Sequence, residues 1–241
     1  MKLFLSFLLL FCAHISFSQD TIKTIIPGAY RTSVYVPLLK GKRIGVFANQ
    51  TSVINNTNLI DTLLKLGVNI TKIFSPEHGF RGNADAGAST DNYIDSATHI
   101  PIVSLYGKKV KPTAEDFNNV DILLFDIQDV GVRFYTYISS LQYFMEAAAE
   151  NSKPMMILDR PNPNGFYIDG PVLDTNYKSF VGMQPIPVVY GMTIGEYAMM
   201  ITGEGWLSTD AANKKFAWYK NHAENSDDTP FSLFSNQMPE L

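Results

Sequence analysis

Thiol chemistry is almost absent from this sequence: among 241 residues there is one cysteine, Cys12. It closes the apolar run Leu3 to Cys12, which follows Lys2 and precedes Ser16-Phe17-Ser18, with small residues three and one before a cut ahead of Gln19. The pattern predicts a secretory leader over residues 1–18 and a protein that is exported, to the periplasm or beyond the cell. Loss of the leader removes the thiol, which excludes disulfides, thiolate metal sites and cysteine nucleophiles. Long apolar runs are also missing, since none approaches the roughly 20 residues that a spanning helix needs, so no transmembrane segment is expected after cleavage. Charge is sparse, at 17% of residues, and the net charge is -4 with no strip of Lys or Arg. Nucleic acid is therefore not an expected partner. The four histidines form no metal motif, and no G-x-G-x-x-G, P-loop or G-x-S-x-G elbow is present. Neither a metal nor a cofactor is expected.

What is present is apolar mass, 46% of residues, arranged in short runs. Lys42 to Phe47, Val68 to Phe74, Ile100 to Leu105, Val120 to Phe125 and Pro154 to Leu158 read as buried strands. Between them Leu59, Ile60, Leu63, Leu64 and Leu66 recur at helical spacing with Gly67 behind them. Ile138, Leu141, Met145 and Ala148 form one stripe, with Gln142, Glu146 and Glu150 elsewhere on the helix surface. Thr193 to Thr202 adds a further helix, and Lys215 to Tyr219 a possible last strand. Apolar strands alternating with helices predict a Rossmann-like, doubly wound α/β domain, its mainly parallel sheet covered by helices on both faces. The domain is expected over residues 19–234. The connection from Ser75 to His99, without clear periodicity, is long enough to suggest function.

Ligands of such sheets bind outside the carboxyl ends of the strands, and four of those ends carry reactive side chains. The first brings Asn49 and Gln50 with Thr51, and the second Glu77, His78 and Arg81 from Ser75-Pro76-Glu77-His78-Gly79-Phe80-Arg81-Gly82. The fourth brings Asp126, Gln128, Asp129, Arg133, Tyr135 and Tyr137, and the fifth Asp159, Arg160 and Asn162. Glu77, held in a turn, is a candidate general acid if partial burial keeps it protonated; alternatively it pairs with Arg81 or Arg133 and only shapes the loop. His78 is a second proton donor, a hydroxyl ligand or a loop histidine bonded to backbone. One of Asp126 and Asp129 is expected to cap a helix beginning near Arg133, leaving the other, with Gln128, for a hydroxylated substrate. Asp159 and Arg160 form an internal ion pair, or Arg160 grips a substrate carboxylate as a planar fork. Tyr135 and Tyr137 stack on a sugar ring or pack ordinarily.

Taken together, Ala48-Asn49-Gln50-Thr51, the Pro76-Glu77-His78-Gly79 turn, the segment Asp126 to Tyr137, Leu158-Asp159-Arg160-Pro161-Asn162-Pro163, Gly170-Pro171 and Gly191-Met192-Thr193-Ile194-Gly195-Glu196 resemble the NamZ-type exo-β-N-acetylmuramidases, exported bacterial glycoside hydrolases of family 171. The resemblance runs from about Ile44 to about Leu207. It implies a Rossmann-like N-terminal domain, a smaller C-terminal domain and an active site between them. It also implies release of N-acetylmuramic acid from the non-reducing end of peptidoglycan fragments, so that muramic acid glycans are the expected partners. Glu77 then falls on the proposed catalytic acid, Asp126, Asp129 or Tyr135 is the second group, and Arg81, Arg133 or Arg160 meets the lactyl carboxylate. Phe166 after Gly165 departs from the pattern, in which a glycine usually repeats. Ser235-Asn236-Gln237-Met238-Pro239 resembles the start of a linker at residues 235–241, with the domain beyond it expected to be missing. A non-catalytic glycan-binding domain, or a purely structural α/β domain, is the rival expectation.

Overall fold

A computed structural model describes residues 25–82 and 91–208. The leader, Cys12, the Lys215 to Tyr219 segment, His222 and the linker-like residues 235–241 lie outside the described residues. Strands β1 (Arg43–Ala48), β4 (Asn69–Ser75), β6 (Pro101–Ser104), β7 (Ile122–Asp126) and β8 (Met155–Ile157) form a parallel sheet. A two-residue strand, β5 (Tyr93–Ile94), closes one edge antiparallel to β6, giving the order β5-β6-β4-β1-β7-β8. The chain builds outward from β1 through β4 to β6, then returns to β7 on the other side of β1. The crevice between the carboxyl ends of β1 and β7 is thus the topological switch point, where open α/β sheets place ligands.

Each face of the sheet is covered, as the continuous apolar runs require. One face packs Ile44, Val46, Ala48, Ile73, Ile102, Leu124 and Met156 against Tyr35, Leu39, Leu59, Ile60 and Leu63 of helices α1 (Thr32–Leu39) and α2 (Leu59–Lys65). The other packs Phe47, Phe74 and Phe125 against α3 (Tyr137–Glu150) and α4 (Ile194–Gly203). There Phe144 meets Phe47 and Phe74 edge-on, at centroid distances of 5.0 and 5.1 Å, while Phe47 and Phe125 stack at 4.8 Å. Such pairings add to area burial because ring edges and faces carry opposite partial charge.

The doubly wound reading holds, with three differences. Helix α1 was not expected, because Pro37 sits inside it and proline removes an internal donor. A small hairpin, β2 (Val53–Ile54) with β3 (Thr57–Asn58), turns through Asn55 at φ 53°. Gln142 and Glu146 are buried rather than at the surface, because the long excursion after β8 folds back over α3. Gln184 donates to Gln142, Gln142 donates to Glu146, and Lys111 and Ser208 complete the carboxylate's partners.

Candidate functional site

Glu77 stands two residues beyond β4, in a turn closed by the Gly79 amide donating to the Pro76 carbonyl at 3.1 Å. His78 and Gly79 both lie in the left-handed region, at φ 70° and 72°. Glycine takes this conformation freely, but for histidine it stores strain of the kind found at functional sites. The Glu77 carboxylate is half-buried and accepts from the Thr136 hydroxyl at 3.0 Å. Tyr106, immediately beyond β6, bonds it through its own hydroxyl; burial and then the Glu77 carboxylate raise the Tyr106 phenol above its usual range.

Tyr137, the first residue of α3, extends this group toward the switch point. Burial raises its phenol, the Glu77 and Asp129 charges push the same way, and the Gln50 and Asn49 side chains oppose them. One phenol hydroxyl therefore senses residues from the ends of β1, β4 and β7. Asp129 is 4% exposed, and burial raises its carboxyl despite hydrogen bonds from Tyr190 and the Gly131 amide. Its Oδ2 takes both of those bonds, Oδ1 has no close partner, and the Val130 amide also faces the carboxylate.

That oxygen is one of a set. The buried side-chain polar atoms with no close hydrogen-bond partner among the described residues are Asn49 Nδ2, which faces the Tyr137 hydroxyl, Ser75 Oγ, Asp129 Oδ1, Ser139 Oγ and Ser140 Oγ. They come from the ends of β1, β4 and β7 and the first turn of α3. Leaving a buried polar group unpaired costs about 1–3 kcal/mol, so natural folds keep few of them. Here they gather around one locus, at the carboxyl edge of the sheet beside Glu77.

The remaining sequence-derived residues divide by what they bond. Arg160 forks onto the fully buried Asp126 at 2.6 and 2.8 Å and donates to the Val53 carbonyl. Burial raises the Asp126 carboxyl and Arg160 pulls it back. The expected Asp159–Arg160 pair is therefore replaced by Asp126–Arg160. Asp159 instead accepts from the Thr193 hydroxyl and the Gly195 amide at the start of α4. Arg81 forks onto Asp95 at 3.1 and 2.8 Å with its guanidinium over the Phe80 ring. Arg133 donates to the carbonyls of Pro171 and Ile186. Neither arginine pairs with Glu77; Arg81 and Arg160 have their forks on carboxylates of the protein, whereas both bonds of Arg133 come from Nη1.

The helix expected near Arg133 begins at Tyr137, and neither Asp126 nor Asp129 caps it; its N-cap is Thr136, which makes no capping bond. Gln128 spends both amide hydrogens on the carbonyls of Asp129 and Pro161, leaving its oxygen toward the rim. Asn162 is a pin: Nδ2 donates to the Met192 carbonyl and Oδ1 accepts from the Asn164 amide. Gly131, at φ 75°, is what makes room for it, since a Cβ there would sit 2.1 Å from Asn162 Oδ1. Asn49 fixes the first turn by accepting from Thr51, whose hydroxyl in turn accepts from the Gln128 amide. Gln50 and Tyr135 remain exposed, Tyr135 stacked with Phe134 at 5.7 Å.

Sequence reasoning missed Tyr106, Thr136 and Tyr190. Tyr106 follows the third predicted strand, whose end was left out of the strand-end census, so the same rule would have found it. Among the described residues no group of three His, Cys, Asp or Glu could hold a metal ion, and no helix is long and apolar enough to cross a membrane.

Residues 44–241 match the family model described as exo-beta-N-acetylmuramidase NamZ, N-terminal. The chain is 48% identical over 228 residues to the peptidoglycan beta-N-acetylmuramidase NamZ of Bacillus subtilis (strain 168), an alignment covering 92% of this chain and 53% of that protein. Two crystal structures of DUF1343 family proteins from Bacteroides fragilis NCTC 9343 are similar over 76% of this chain. One has 51% identity and a TM-score of 0.68 and the other 43% and 0.69, with 48% and 47% of their chains covered. The chain thus spans about half the length of the curated relative.

Proposed function

Since the chain belongs to the family of NamZ N-terminal domains, we propose that its sheet edge hydrolyses the glycosidic bond of a terminal N-acetylmuramic acid in exported peptidoglycan fragments, with Glu77 as the acid. The reading is carried by the convergence at Glu77: a half-buried carboxylate, bonded by Thr136 and Tyr106, beside a cluster of buried polar atoms without close partners. Glu77 protonates the glycosidic oxygen as the bond to the anomeric carbon breaks, and a water that gives up a proton to the second carboxylate supplies the new hydroxyl at that carbon. Asp129 is the second carboxylate of the reaction, since Asp126 is consumed by Arg160 while Asp129 keeps one oxygen with no close partner. Tyr137, on which both Glu77 and Asp129 act, orients the ring between them. The leader expected from the pattern of residues 1–18 is what supports a location outside the cytoplasm.

The test is release of free N-acetylmuramic acid from its disaccharide with N-acetylglucosamine by the purified protein. Positioned acids typically contribute a hundred- to ten-thousandfold, so Glu77→Gln is expected to lower the rate by roughly that range with folding intact. Equal rates in the two proteins would remove Glu77 from the chemistry, and silence of the unsubstituted protein would remove the hydrolase reading.

A further inference from the structure

From Tyr106 a row of aromatic rings leads away from Glu77. Tyr106, whose hydroxyl bonds Glu77, has its ring centroid 6.2 Å from that of Phe180, and Phe180 stacks on Tyr143 at 6.0 Å with only 8° between the planes. All three rings are partly exposed. Phe180 is presented at the tip of a tight turn in which Ser179 and Gly182 exchange backbone hydrogen bonds at 3.0 Å. Tyr143 follows Thr136 by seven residues, which places both on one face of α3, so the row leads away from Glu77 along that helix. It ends in an open groove of about 330 Å³ whose lining includes Lys178, Met183 and Trp206.

The two sides of Glu77 therefore differ in kind. Toward Tyr137, Asn49 and Asp129 the side chains are buried or half-buried and polar. Toward Phe180 they are open, with aromatic rings set among polar side chains such as Lys178 and Ser179, which suits a glycan chain that continues into solvent. We propose that the Tyr106–Phe180–Tyr143 row binds the departing saccharide chain, its rings stacking on the apolar faces of successive pyranoses. This rests on the hydrolase reading above and extends it, by making the preferred substrate a glycan longer than a disaccharide.

The experiment compares the disaccharide with the tetrasaccharide made of two such units, using the unsubstituted protein, Phe180→Ala and Phe180→Tyr, each checked for an unchanged melting curve. Loss of one stacking contact corresponds to roughly a two- to tenfold change in affinity. Phe180→Ala is thus expected to lower kcat/KM for the tetrasaccharide several-fold more than for the disaccharide, chiefly through KM, and Phe180→Tyr to restore it. Equal losses on both glycans, or none, overturn the proposal and leave the row as packing. Should the unsubstituted protein release nothing, the hydrolase reading fails separately. The row is then judged by titrating the tetrasaccharide against the emission of Trp206, with Trp218→Phe as background. Binding weakened by Phe180→Ala supports the row; no binding, or binding that Phe180→Ala leaves unchanged, overturns it.

Discussion

Arginine placement decides which carboxylates of this protein are free to react. Arg160 neutralises Asp126 in full burial, and Arg81 neutralises Asp95, which is 3% exposed. Removing one member of a buried pair strands the other charge, typically at a cost of about 3–5 kcal/mol. Arg160→Met is therefore expected to lower the unfolding free energy by that much, read from urea titration, whereas a loss below about 1 kcal/mol would show the pair to be dispensable. Asp95 carries a pH signature. Its carboxyl is lowered chiefly by the hydrogen bond from Arg81, with burial opposing. With the folded pKa below the unfolded one, the unfolded chain takes up the proton first. The contribution is thus full above the ordinary aspartate range, near pH 4, and is lost as pH falls through the depressed value. Urea midpoints followed from pH 7 to pH 3 should fall more steeply for the unsubstituted protein than for Asp95→Asn; parallel curves would count against the pair. Part of the acid limb will remain in Asp95→Asn. Asp116 and Glu146 are also lowered, burial being outweighed by hydrogen bonds from Lys109 and Thr113 in one case and from Ser208 and Gln142 in the other.

Two helices of the same covering layer begin on threonine and use it differently. At α4, Thr193 accepts from the Glu196 amide while Glu196 reaches back to the Thr193 amide, a complete capping box, and the Thr193 hydroxyl also donates to Asp159. At α3, Thr136 makes no capping bond and gives its hydroxyl to Glu77 instead. Thr193→Ala is expected to cost about 1–2 kcal/mol. Thr136→Ala should cost no more than its one half-buried hydrogen bond to Glu77 contributes, about 0.5–1.5 kcal/mol, yet reduce muramic acid release. Thermal unfolding beside the release assay separates the two, and a Thr136→Ala destabilised beyond that range with normal turnover would reverse the assignment. The same contrast shows what the sequence could convey about elements. Apolar runs and the Ile138 to Ala148 stripe placed β1, β4, β6, β7, β8 and α3 because burial periodicity is local. Partners remote along the chain left no such mark: Asp126 and Arg160 lie 34 residues apart, and Gln142 looks like a surface residue until Gln184 folds over it. The strand ends were legible as a set, while the pairing of Asp126 with Arg160 and of Arg81 with Asp95, and the bonding of Glu77 by Thr136, required three dimensions.

The site's position ties it to the stability of both layers. Phe47 of β1 points into the aromatic layer under α3, while its neighbours Val46 and Ala48 point into the layer under α1 and α2, as alternation along a strand requires. The same strands carry Asn49, Glu77 and Asp129 at their ends, so neither layer can loosen without moving the rim. This predicts one cooperative transition rather than two. Phe144→Ala, on the aromatic side, should cost about 3–5 kcal/mol, and Leu63→Ala, on the opposite side, about 2–5 kcal/mol. Each should shift a single midpoint shared by far-ultraviolet circular dichroism and tryptophan emission. Leu63→Ala is the sharper of the two, because Trp206 packs against the aromatic side and not the layer that contains Leu63. A Trp206 transition (Trp218→Phe background) that moves with the circular dichroism of Leu63→Ala shows the sheet transmitting the loss across its thickness. If emission held its original midpoint while circular dichroism fell early, the two layers would be separate units, and Glu77 and Asp129 would owe their alignment to the α3 side alone.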